Sequence, residues 1–313
     1  MRKFLLLFGT ICVAVLLTLL SLRENSLHPE VRFFLFRALV VRNLPDPAQG
    51  ILTTHPPLPL LLALALRGYF PLAVGLSATL LLLAGVRREN TLPVFLVLLS
   101  PVFLLGTIRR PALTLFSLFA ALGFSAILAS VDRNDPEKLL LGNIAFGFTA
   151  CLHPFGTWIL PLFTLCEVLL PRVSLPRRGT LAALALFPFL ALQGMALFFG
   201  WVYEGYALSP FRDPELSLGV FLSGIETPSL VGDLIPLLPF LALSLFSGLS
   251  RTLLFSGITL FSLLARSLVS PFSALLPALL FALDPKPWRG LVLGAVAHLA
   301  VSWALYFAGI LLC

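Results

Sequence analysis

Apolar stretches and short polar breaks alternate along almost the whole chain, and the pattern predicts an all-α polytopic membrane protein with about 11 transmembrane helices. The first apolar run, Phe4–Leu22, follows Arg2 and Lys3. It is long for a signal-peptide core and lacks a small-x-small cleavage site, so it is expected to be an uncleaved first span. Residues 23–70 then form a polar interval. Within it, Val31–Val41 (VRFFLFRALVV) predicts an amphipathic helix at the membrane interface, ended by the breaker run NLPDPAQG. The apolar segment between Pro59 and Arg67 is short for a span and reads as a re-entrant or interfacial helix.

Further spans are predicted at Pro71–Val86, Leu92–Leu105, Ala112–Val131, Leu139–Leu152, Trp158–Leu170 and Leu181–Tyr203. A second polar interval covers Glu204–Leu230, after which Val231–Leu249, Thr252–Leu268, Phe272–Leu283 and Leu291–Leu312 complete the set. Basic residues fix the expected orientation. If His55–Phe70 does not span, then Arg87–Arg88, residues 132–138, Arg172, Arg177, Arg178, Arg251 and residues 284–290 all share the side of the basic N-terminus. That is the positive-inside distribution. It puts the N-terminus in the cytoplasm and both polar intervals, 23–70 and 204–230, outside. Residues 1–170 then form a membrane core carrying the first loop, and residues 171–313 add C-terminal transmembrane helices.

Composition agrees with this class. Hydrophobic residues make up 59% of the chain and charged residues 11%, too little charge to cover a soluble domain of this size. The net charge of +7 is explained by orientation, and no basic patch interleaved with aromatics points to nucleic acid. Cys12, Cys151, Cys166 and Cys313 match no zinc or CxxC spacing and read as small apolar fillers.

Candidate chemistry concentrates in the external loops. Their carboxylates are Glu24, Glu30 and Asp46, then Glu204, Asp213, Glu215, Glu226 and Asp233. A carboxylate beside a membrane can act as general base or hold a divalent cation, and it can equally be a solvated loop charge. Glu30 stands out because it directly precedes the interfacial helix; Glu24, just after the first span, comes second. His55 is held extended by the prolines after it and could meet phosphate or begin a helix. His153 lies in similar surroundings, while His298, inside the last span, is expected to bond a neighbouring helix. Arg32 and Arg37 fall among Phe and Leu, near headgroups or substrate. Arg109 and Arg110 are adjacent guanidinium groups in an external turn, able to grip a phosphate or a lipid headgroup. No HExxH, GxSxG, P-loop or dinucleotide motif is present, and sparse charge within the spans argues against an ion-coupled pump.

The order of several short motifs resembles the GT-C class of membrane glycosyltransferases. These are Glu30 before an interfacial helix, Arg42-Asn43-Leu44, His55-Pro56-Pro57-Leu58, Ser100-Pro101 followed by Arg109-Arg110, and a Gly-containing span leading into His153-Pro154-Phe155-Gly156. The resemblance covers about residues 1–170. It implies a helical membrane enzyme of the cell envelope that takes a sugar from a polyprenyl-phosphate donor on the outer side of the plasma (inner) membrane. By this resemblance Glu30, with Glu24 behind it, is the catalytic base or the carboxylate of a metal. His55, Arg37, Arg109, Arg110 and His153 are substrate-binding residues, and a divalent cation is left open as cofactor. The alternatives from other classes are a non-catalytic scaffold subunit of a membrane complex and a carrier for lipid or small solute.

Overall fold

The computed structural model describes residues 2–24, 29–52, 57–86, 90–133, 136–152, 175–205, 234–245, 256, 259, 275–283 and 290–309. Among these residues all regular structure is helical. The predicted span Trp158–Leu170 and most of Thr252–Leu268 lie outside the described residues.

Helix α1 (Arg2–Glu24) carries no charge between Lys3 and Arg23, a rise of about 30 Å, which matches the hydrocarbon thickness of a bilayer. Beyond it come α2 (Pro29–Arg42), α3 (Pro47–Leu52) and α4 (Pro57–Leu66), then a 3₁₀ turn (Arg67–Tyr69) leading into α5 (Phe70–Gly85). Two glycines set the register of α1 against α5. A Cβ on Gly75 would stand 2.5 Å from Leu17 and 2.9 Å from Thr107, and one on Gly9 would stand 3.0 Å from Leu83 and 3.1 Å from Phe95. Residue 9 is therefore level with 83 and 95, and residue 17 with 75 and 107. Continued by one to two turns, that register brings Arg23, Tyr69 and Arg110 to the same end of the bundle.

Sequence pattern separates a short helix ending near Phe70 from a span beginning at Pro71. The structure joins them: Pro57–Leu83 is one helical run of 27 residues, long and apolar enough to cross a membrane. Pro71 does not break it because it occupies the first turn of α5, where its missing N–H leaves no bond unmade. Packing still divides the run, since α4 lies on α2 and α9 whereas α5 lies on α1, α7 and α8. The dividing residue is Arg67, whose φ of 50° is in the left-handed region that disfavours any residue with a Cβ. Arg67→Gly is expected to raise stability by about 1 kcal/mol, read as a higher apparent melting temperature in detergent.

The predicted span Leu92–Leu105 is broken. Helices α6 (Thr91–Leu98) and α7 (Pro101–Arg109) meet at 55°. Ser100 causes the break: its Oγ accepts from the Phe103 N–H at 3.4 Å and donates to the Val97 carbonyl at 2.7 Å, while Pro101 opens the new helix. Next come α8 (Pro111–Arg133) and α9 (Pro136–Leu152), antiparallel and packed backbone to backbone at Gly123 and Gly142. A Cβ on either glycine would stand 2.8 Å from the other's carbonyl oxygen. This is the small-residue contact that membrane helices use for close approach.

The remaining described helices are α10 (Leu175–Glu204), α11 (Leu238–Ser244, entered through a 3₁₀ turn at Ile235–Leu237), α12 (Leu275–Ala282) and α13 (Leu291–Phe307). Every residue of α12 is buried, against α6, α7 and α8, and the Ser125 hydroxyl donates to the Leu283 carbonyl at its end at 2.9 Å. Its eight described residues rise about 12 Å and fall within the predicted Phe272–Leu283 span. His298 on α13 bonds across helices as expected: Nδ1–H donates to the Pro236 carbonyl at 2.6 Å, and its ring lies 5.3 Å from that of Phe240.

By length and composition, two described stretches can cross a membrane, Pro57–Leu83 and Leu186–Tyr203, or three if the bent α6–α7 pair counts as one. Shorter apolar helices occur at Leu7–Arg23, Pro111–Ile127 and Leu291–Phe307.

Candidate functional site: the polar end of the bundle

The first polar interval and the turn after α7 meet at one end of the bundle. Helix α2 buries Val31, Phe34, Ala38 and Val41 against its neighbours, above all α4. Its outward side differs from the polar face of an amphipathic helix. Phe33, Phe36, Leu39 and Val40 are exposed there, with Arg32, Arg37 and Arg42 between them. The helix is thus apolar on both sides, because its arginines do not fall on a single stripe.

Two further contacts tie the same end together. The Gln49 side-chain amide on α3 donates to the Tyr203 carbonyl near the end of α10 at 3.5 Å. The Arg23 guanidinium, at the end of α1, lies 5.1 Å over the ring of Tyr306 on α13, a cation–π arrangement.

Glu30 occupies the first turn of α2, directly after Pro29, where a negative charge complements the unpaired N–H groups of the helix. Arg110 is the single non-helical residue between α7 and α8. Pro111 forces this conformation, since a residue before proline is pushed out of the helical region; Arg110 adopts φ −133° and ψ 67°. Its backbone is nevertheless held at both ends. The Arg110 N–H donates to the Gly106 carbonyl at 2.7 Å, and its own carbonyl accepts from the Thr114 N–H at 3.0 Å. From these anchored positions the side chains converge: Arg110 Nε is 3.9 Å from Glu30 Oε2, with the side chains 31% and 22% exposed, respectively. Partial burial matters, because such a pair is screened less by salt than one in open water.

Among the other predicted site residues, Arg109 precedes Arg110 in the last turn of α7, where a cation is favourable. Arg37 follows Glu30 by two turns on the same side of α2, roughly 10 Å along the axis, and is exposed. Glu24 is the last residue of α1. His55 and His153 lie outside the described residues. Asp46 caps α3, its Oδ1 accepting from the N–H groups of Ala48 at 3.0 Å and Gln49 at 3.4 Å, a structural use of that carboxylate. Among the described residues no three His, Cys, Asp or Glu side chains come together as a metal site.

Sequence reasoning singled out Glu30 and Arg110 separately and missed that they face each other. The available signal was the two prolines, Pro29 and Pro111, each of which fixes one member at a helix start. No family model, curated protein or solved structure matches the chain.

Proposed function

We propose that the protein is an integral membrane glycosyltransferase that moves a sugar from a polyprenyl-phosphate donor to an external lipid or glycan acceptor. The observation that carries this reading is the meeting of Glu30 with Arg110, a general-base candidate beside a guanidinium, at the end of the bundle where the apolar helices stop. In the reaction, Glu30 takes the proton of the acceptor hydroxyl, directly or with a divalent cation, and the hydroxyl oxygen attacks the anomeric carbon. The bond from that carbon to the phosphate oxygen breaks, and the lipid phosphate leaves with its negative charge against Arg110 and Arg109. The reading includes the eleven-span topology, a cytoplasmic N-terminus and a site on the outer face of the plasma membrane. The uncharged stretch of α1 between Lys3 and Arg23 and the bundle-end position of Arg23, Arg110 and Tyr306 support it.

The test is native mass spectrometry of the purified protein with undecaprenyl phosphate. Saturable binding is expected, reduced at least tenfold in Arg109→Ala/Arg110→Ala, the loss of two charge-assisted contacts. Binding no stronger than that of an ordinary anionic phospholipid removes the donor site. One observation favours a second reading, a scaffold subunit of a larger membrane complex: the exposed Phe33, Phe36 and Leu39 of α2 offer an apolar surface to a partner. Stable co-purification with another membrane protein, together with no lipid-phosphate binding, would favour it.

A further inference from the structure

We propose that Glu30 is the internal counter-anion of the Arg110 seat, so that the Glu30 carboxylate and a lipid phosphate compete for one guanidinium. The proposal rests on the glycosyltransferase reading for its ligand class, a phosphate monoester or diester on a lipid chain, and adds how the site is held before that ligand arrives.

The geometry of the pair is the first support. At 3.9 Å, Nε and Oε2 are farther apart than the 2.7–2.9 Å or so of a charge-assisted hydrogen bond. The two charges therefore face each other without the parallel fork that would lock them. Burial is the second. With 31% and 22% of the side chains exposed, the attraction is stronger than between solvated ions; Arg110 Nε and Glu30 Oε1 are themselves buried, and other parts of both side chains face outward. Anchoring is the third. Glu30 belongs to the first turn of a helix seated on the bundle, and the Arg110 backbone is bonded to both Gly106 and Thr114. Neither residue can retreat with its backbone, so an arriving anion changes the pair through the side chains alone.

A phosphate monoester brings up to three acceptor oxygens and more charge than a carboxylate, and the diester of the donor brings two free oxygens and one charge, so either competes with a carboxylate for a guanidinium. Seated on Arg110, it repels Glu30. The coupling is reciprocal: the carboxylate weakens phosphate binding by the factor by which phosphate weakens the ion pair. Arrival of the donor thus loosens Glu30 from Arg110, and without donor the carboxylate stays beside the arginine. Transfer to an acceptor and occupancy of the phosphate seat become linked events.

The experiment is a double-mutant cycle of undecaprenyl phosphate affinity, measured in nanodiscs with Glu30→Gln, Arg110→Gln and the combined variant. Inorganic phosphate and phosphatidylglycerol serve as competitors, separating a free-phosphate or common-headgroup seat from one for polyprenyl phosphate. Glu30→Gln is expected to tighten binding roughly threefold to tenfold, and that gain should vanish when Arg110 is already Gln. Unchanged or weaker binding in Glu30→Gln, with Arg110→Gln still weakening it, overturns the competition and leaves the phosphate seat standing. No effect of Arg110→Gln removes the seat itself, and with it the reading on which the proposal rests. If Arg110→Gln does not fold, Arg110→Lys takes its place, keeping the charge but losing the planar fork.

Discussion

On the proposed glycosyltransferase reading, Glu30→Gln is expected to stop sugar transfer while the protein still folds and still binds polyprenyl phosphate. Gln matches Glu in shape and leaves the first turn of α2 intact, but it cannot accept a proton at neutral pH. The expected loss in turnover is on the order of 10²–10⁴-fold, the usual contribution of a positioned general base. If the carboxylate acts by holding a cation, the same variant removes a charged ligand and the loss is again large. The assay follows a radiolabelled sugar from a polyprenyl-phosphate donor into the lipid-extractable or glycan fraction, with thermal unfolding run in parallel. Turnover at the wild-type rate would remove Glu30 from the chemistry. Retained lipid-phosphate binding with unchanged turnover would then direct attention to Glu24, the last residue of α1.

Gly123→Leu carries the largest expected effect on the fold. A Cβ there already stands 2.8 Å from the Gly142 carbonyl oxygen and 3.1 Å from the Phe146 ring, and backbone cannot swing aside as a side chain can. The helices must separate, losing the contact along the α8–α9 hairpin and the burial of Phe146. The expected cost is about 3 kcal/mol or more, seen as a lower apparent melting temperature and loss of the monodisperse peak in detergent. Gly194→Ala is the control. A Cβ at Gly194 meets nothing within 4 Å, so this change should cost nothing and add up to about 1 kcal/mol through helix propensity. Equal behaviour of the two variants would show that the α8–α9 contact is not close in the protein.

The helical class was readable from hydropathy because long apolar runs leave few other options for the backbone. Several element positions followed as well, including α1, α8, α9 and α13. Three features were not readable for local reasons. Ser100-Pro101 lies in unbroken apolar sequence, so hydropathy passes over it, while the hydroxyl cap and the proline start a new helix at 55° to the old one. Arg67-Gly68 resembles the end of a helix, yet one left-handed residue and a 3₁₀ turn carry the chain onward. Helix α12 has the composition of a span, and only tertiary packing reveals that all of it is enclosed by protein. At the candidate site, residue types were legible and partnership was not. Glu30 and Arg110 are distant in sequence, and their encounter depends on how α2 lies on the bundle.

The enclosure of Leu275–Ala282 has a consequence for biogenesis. A ribosome delivers this chain in order, so α6, α7 and α8 are made long before the segment that packs against all three exists. Until residues 275–282 emerge, the faces of those helices that pack on α12 lack that cover. The Arg110 corner joins α7 to α8, two helices that both pack on α12, so the packing beside it is completed late in synthesis.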